Sequence, residues 1–321
     1  MTLAATKPLP AMTMTHEQIA FVEAVSIPQG TIFETPEVLA EAEFIEALVS
    51  WNVSVPEAAG LVVELSVRRA EGSSWSPWLL VGDWGQVDRS VSRTTAFDGG
   101  RIDIDFFTGD INFNAIRLRF TSEGQGDLLV HRYDLCLTGA NELEYVAIIP
   151  GSAATSLDVP KRSQQISDRE LAARICSPTS VAMVMAYRGV SRPTVEVAKR
   201  LFDEPHDIYG NWTRAIQGAF SFGVPGYLRR FSSLESAEAV VASGQPLIVS
   251  IRVPDSGLTG APYVATTGHL VVIVGFDDDG DVIVNDPAAP DPDSVRLTYK
   301  RDEIDRAWLG KGGVAYMLLQ P

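Results

Sequence analysis

Three stretches in the first half of the chain alternate apolar and polar residues with a period of two. Between Leu61 and Arg69, Val63, Leu65 and Val67 face away from Glu64, Ser66 and Arg68. From Arg101 to Phe107, Ile102, Ile104 and Phe106 oppose Arg101, Asp103 and Asp105. From Ala115 to Phe120, Ile116, Leu118 and Phe120 oppose Arg117 and Arg119. A period of two puts every second side chain on one face, so each segment reads as a strand with one buried side. Helical periodicity is weak here. Pro56, Gly60, Pro77, Gly99, Gly100, Gly124 and Gly126 supply breaks between the strands. An antiparallel, all-β sandwich follows, because strands with one apolar face must bury it against a second layer.

Four of the six tryptophans, Trp51, Trp75, Trp78 and Trp84, fall in this half. Exposed rings can stack on a carbohydrate or protein ligand. Buried ones plug the ends of a sandwich, each needing one partner for its N–H. The second reading is the expectation, and His131 is read as structural.

The pattern changes near residue 150. Asn141 to Lys161 carries Pro150, Gly151 and a small polar run, and beyond it helices and strands intermix. The expected organisation is a tail over 1–30, a β-sandwich accessory domain over 31–147, a linker over 148–160 and an α+β domain over 161–321. With 45% hydrophobic and 21% charged residues, both halves can bury a core. A net charge of −15 argues against nucleic acid or an anionic membrane as the main partner, since both need clustered Lys and Arg. No apolar run approaches the ~18 residues needed to span a bilayer. Met1 to Thr15 lacks the apolar stretch of an intact signal peptide.

The chemistry lies in the second half. Cys176 precedes Ser177-Pro178-Thr179-Ser180 and an apolar run to Tyr187 that closes on Gly189. Ser177 is the expected N-cap, Pro178 suits the first turn and Gly189 the C′ position. Cys176 is then at a helix N-terminus, where orphan N–H groups and the macrodipole favour a thiolate. A nucleophilic thiol needs a base, and the base an orienter. His269 opens the apolar run Leu270 to Phe276. Asp277 to Asp281 makes a turn, and Val282 to Asn285 returns to Asp286. Antiparallel pairing across that hairpin brings Asp286 within a residue or two of His269, close enough to fix its tautomer. His206, beside Asp207 in a loop, is the internal rival for the base. The Asp277–Asp281 run lacks the spacing of an EF-hand and reads as a solvated turn. Two cysteines without CxxC or paired-histidine spacing do not make a zinc site, so no metal or other cofactor is expected. Cys136 reads as a buried apolar residue.

Taken together, Val159 to Gln164, Cys176 to Val184, Gly268 to Phe276 and Asn285-Asp286-Pro287 resemble the bacteriocin-processing cysteine peptidases, the thirty-ninth family of that class. The resemblance is to the soluble, stand-alone relatives, which share a motif similar to Tyr209-Gly210-Asn211-Trp212. It covers about residues 157–321. It implies a papain-like fold in which Cys176 attacks, His269 is base and then acid, Asp286 orients His269, and the Gln164 amide joins the Cys176 N–H in an oxyanion hole. Gln165 is the alternative amide. Trp212 is a candidate substrate-binding residue. Ile175 and Ser177 stand where relatives often carry glycine. The first half is similar to β-sandwich modules, often jelly-roll-like, that precede such domains. The function implied is a thiol hydrolase acting on a peptide, protein or cell-wall cross-link. A papain-like binding module without turnover and an acyltransferase or amidase are the alternatives, and a secreted or cell-envelope location is expected.

Overall fold

The computed structural model describes residues 13–17, 24–139, 154–254 and 257–321. Its strands form two antiparallel sheets that share no strand, one within residues 13–139 and one within 155–318.

The first sheet is built on four long strands, Val38–Ser54, Ala59–Arg69, Phe106–Gly124 and Leu128–Gly139. Ala59–Arg69 pairs with the later part of Phe106–Gly124. The later part of Val38–Ser54 pairs with Leu128–Gly139. Val38–Ser54 and Phe106–Gly124 also pair with each other, with register shifts around Phe44. Bulges of this kind bend a strand, so the two long strands pass from one layer of the sandwich to the other. Between the layers lie Val49, Trp51 and Val53, the Leu61–Val67 alternation, and Ile116, Leu118 and Phe120.

Trp51 and Trp84 are buried as sandwich plugs. Trp75 and Trp78 are half-buried and stack with arginines instead: the Arg117 guanidinium lies 4.5 and 4.8 Å from their ring centres, and Arg119 lies 4.6 Å from Trp78. His131 sits where the register of Leu128–Gly139 shifts and bonds Ser54 at 2.8 Å.

Three expectations need correction. Residues 1–30 are not simply a tail, because Thr13–Glu17 and Val25–Ile27 pair with Leu128–Gly139 and satisfy that strand's edge groups. The expected linker over 148–160 falls partly outside the described residues, and its last part is structured. Thr155 and Ser156 pair with Phe276 and Gly275, and Val159 is buried. Gly275 is required there, since a Cβ would stand 2.1 Å from the Thr155 carbonyl oxygen. Finally, Arg101–Phe107 is not one strand. Gly100–Asp103 ends at a turn, and Phe106 starts the next strand.

The second sheet runs Gly226–Arg230, Val314–Leu318, Leu247–Val253, Thr266–Phe276, Val282–Asn285, Arg296–Tyr299, antiparallel throughout. Helices α1 (Arg169–Ala172), α2 (Cys176–Tyr187), α3 (Thr194–Leu201) and α4 (Trp212–Ser221) precede it. Helix α5 (Leu234–Ala242) lies within it, and α6 (Arg301–Ala307) follows the Arg296–Tyr299 strand. The alternation along the strands separates two cores. Leu270, Val272 and Val274 meet α2, α3 and α4, while Val271 and Ile273 meet α5 and α6. This is the α+β arrangement expected of the C-terminal part.

The two sheets are joined by more than apolar contact. Leu48 and Cys136 of the first sheet enter the core of α2–α4. The Asn52 side chain bonds both backbone groups of Gly226 at 3.0 Å, and Gln217 bonds both of Val53 at 2.8 and 3.0 Å. Each buried pair contributes about 1 kcal/mol net, and leaving its backbone partners unmet costs more.

Candidate active site

Helix α2 is buried along almost its whole length, from Ser177 to Met185. An apolar helix of this kind holds its first residue in a fixed place. That residue is Cys176. The cap differs from the expectation: Ile175 is the N-cap and makes no side-chain cap bond. Ser177 is inside the first turn, and its hydroxyl meets the Tyr316 hydroxyl at 3.3 Å. With no side chain folded over the helix start, the half-buried Cys176 stands among the first-turn N–H groups. Gly189 ends the helix as expected, at φ +86°.

The Ser180 hydroxyl donates to the Leu270 carbonyl at 3.1 Å, which pins α2 to the strand carrying His269. Across the hairpin, Asn285 pairs with Val272, so Asp286 lies diagonally across from His269 on the same face. The His269 Nε2 to Asp286 Oδ1 distance is 2.8 Å. That bond leaves Nδ1 for the sulfur. Burial alone raises the Cys176 thiol, but the hydrogen bond and charge of His269, with the Leu270 and Ser177 N–H groups, outweigh it and lower the thiol from its usual value. For His269 burial acts downward, and the bonds and charges of Asp286 and Cys176 overcome it, so the imidazole is held protonated well above its ordinary range. The geometry therefore favours a thiolate–imidazolium pair.

Asp286 is fully buried and still held below its usual carboxyl range, because four donors surround it. Oδ1 accepts from His269 and from the Ala288 N–H at 2.9 Å. Oδ2 accepts from the Tyr263 hydroxyl at 2.9 Å and the Tyr299 hydroxyl at 2.7 Å. A carboxylate offers about four such sites, so it is saturated. Tyr263 also sets its ring edge-on to His269, with 5.0 Å between ring centres. Neither tyrosine was expected from the sequence, since no motif or spacing marks them.

Gln164 is buried, and its Nε2 donates to the Ala172 carbonyl at 2.8 Å, at the end of α1. One amide hydrogen is thus engaged, and Oε1 has no partner among the described residues. Gln165 is exposed, and its amide reaches the Ala288 carbonyl at 3.3 Å, tying down the loop after Asp286. Trp212 is the first residue of α4 and lies half-buried beside the cleft. His206 is exposed and bonds Asp203 at 2.8 Å, in a different cavity from Cys176. The Asp277 carboxylate accepts from the N–H groups of Asp279 and Asp281, a self-closed turn.

Cys176 opens on a cleft of about 530 Å³. Its walls come from both halves of the chain: Tyr209, Trp212, Ser250 and Arg252 from one, and the Asp103–Phe106 segment from the other.

Residues 156–316 match the model of the peptidase C39-like family, and residues 25–124 match that of the peptidase C39 N-terminal domain. A comparison with curated proteins found no match. Among solved structures, a C39-like peptidase from Bacillus anthracis is 20% identical, with a TM-score of 0.41 over 53% of this chain and 99% of its own. A double glycine motif protease from an AMS/PCAT transporter, solved with its leader peptide, is 17% identical, with a TM-score of 0.36 over 53% and 100%. The peptidase domain of Streptococcus ComA is 16% identical, with a TM-score of 0.35 over 50% and 99%.

Proposed function

This chain belongs to the peptidase C39-like family, and we propose that it is a cysteine peptidase in which Cys176, His269 and Asp286 form the catalytic triad. The observation that carries the reading is the buried chain of contacts from thiol to imidazole to a carboxylate with four donors.

The Cys176 thiolate attacks the carbonyl carbon of a peptide, and the carbonyl electron pair moves to oxygen. The first-turn N–H groups of α2 and the second Nε2 hydrogen of Gln164 stabilise that oxyanion; one such donor is worth about 3–4 kcal/mol in related chemistry. His269 gives its Nδ1 proton to the departing amine as the C–N bond breaks, leaving a thioester on Cys176. Water then attacks the thioester, His269 takes its proton, and collapse releases the acid and restores the thiolate. Asp286 keeps Nε2 engaged throughout, so the proton always moves at Nδ1.

The test is cleavage of a proteome-derived peptide library followed by mass spectrometry. Wild-type protein is expected to produce a defined set of cleavages that vanish in Cys176→Ala and fall at least about a hundredfold in His269→Ala. Cleavage that persists in Cys176→Ala overturns the assignment.

A further inference from the structure

One wall of the cleft belongs to the N-terminal sheet, and it is built unlike the rest of that sheet. The sequence alternates as a strand through Arg101–Phe107, yet the chain turns within it: the Asp105 N–H donates to the Asp103 carbonyl at 2.7 Å, closing a three-residue turn. Its central residue, Ile104, has φ +61°. Glycine, asparagine and aspartate accept that conformation, whereas a β-branched residue pays for it in steric strain. The side chain is not buried in the core in return, and stays 45% exposed. A strained residue persists only where its surroundings fix it, and such residues cluster at sites of recognition.

The surroundings here are explicit. Asp105 is buried and accepts the backbone N–H of Trp212 at the start of α4. Phe106 stacks on the Trp212 ring, with 5.7 Å between centres and 20° between planes. The two residues that follow Ile104 are therefore anchored on the helix that flanks the cleft. The Ile104 side chain is what remains, and it lines the same cleft as Cys176.

We propose that the Asp103–Ile104–Asp105 turn is the specificity element of the cleft, with Ile104 and Phe106 seating an apolar side chain of the peptide at or next to the residue under attack. The proposal rests on Cys176 being the nucleophile. It makes the N-terminal half part of the substrate site, and it names peptides with an apolar residue beside the scissile bond as the substrate class.

The experiment compares alkylation of Cys176 by acetyl-Leu-Gly, acetyl-Gly-Leu and acetyl-Gly-Gly chloromethyl ketones, in a Cys136→Ala background. Each rate is divided by the same protein's iodoacetamide rate, which reads the thiolate alone. At least one leucine reagent is expected to react tenfold or more faster than the Gly-Gly reagent. Ile104→Gly and Ile104→Asn, both compatible with a positive φ, should bring that ratio below threefold without lowering the melting temperature. A wild-type ratio below threefold, or one that both variants retain, overturns the proposal. Loss of the nucleophile reading is visible separately, as iodoacetamide alkylation that titrates like a free thiol, and it removes this proposal too.

Discussion

For single residues, the site depends on a carboxylate that stays ionised without exposure to water. Asp286 does so by accepting four hydrogen bonds, two of them from Tyr263 and Tyr299. A hydrogen bond to a charged group is worth about 1.5–3 kcal/mol, so each hydroxyl matters to the charge distribution beyond it. Tyr299→Phe removes one donor. Asp286 then holds its charge less well, the imidazolium is less favoured, and the Cys176 thiol rises. The midpoint of Cys176 alkylation is expected to move up by about one pH unit. An unchanged midpoint would mean the tyrosines support only packing. Cys176, His269 and Asp286 were legible in the sequence because their positions follow from local rules: a helix start, a strand start, and a hairpin return. The tyrosines were not, because a hydroxyl reaching Asp286 from Tyr263 depends on a path no periodicity encodes. Gln164 came from family resemblance alone, and its contact with Ala172 could not be read from spacing.

At the scale of elements, most helices and strands follow their local signals. Asn211 and Ser233 cap α4 and α5 through their side chains, and Gly189, Gly223 and Gly244 close helices at positive φ. The failures have physical causes. Ser177 is a good capping residue by type, but α2 starts at Cys176 with Ile175 as its N-cap, which carries Ser177 inside the first turn. The Gly226–Arg230 strand carries no clear alternation in the sequence, because its polar Arg229 and Arg230 mask the pattern, although it pairs fully with Val314–Leu318. Arg230 pairs through Nη2 with Glu46 of the other sheet at 2.5 Å, a partner no local window contains. The Arg101–Phe107 alternation does not make one strand, because tertiary anchoring on α4 overrides the period of two at Ile104.

Across the whole molecule, the N-terminal sheet is coupled to the Cys176 cleft through Asp105, which accepts the Trp212 N–H. Burial pushes this carboxyl up to about 7, the Trp212 N–H counteracts in part, and the charges of Asp203 and Asp103 add to the rise. A carboxyl raised in the folded state favours the fold when protonated. Its contribution is present below the unfolded value near 4 and is lost as pH rises through about 7. Stability should therefore decline between those limits and level off above them. Asp105→Asn keeps an acceptor for Trp212 without the charge. It is expected to be more stable than wild type at pH 8, by roughly 2–4 kcal/mol, and nearly equal at pH 4. Urea midpoints at the two pH values check this, and equal differences at both would remove Asp105 as the cause. That coupling was out of reach of the sequence, where a sandwich and an α+β domain read as separate units.

The thiolate–imidazolium pair is read out by the pH dependence of iodoacetamide alkylation of Cys176, in Cys136→Ala, with and without His269→Ala. Alkylation is expected with a midpoint well below the ~8.5 of a free thiol, returning towards that value when His269 is removed. A Cys176 that is unreactive, or that titrates as an ordinary thiol in both proteins, would contradict it.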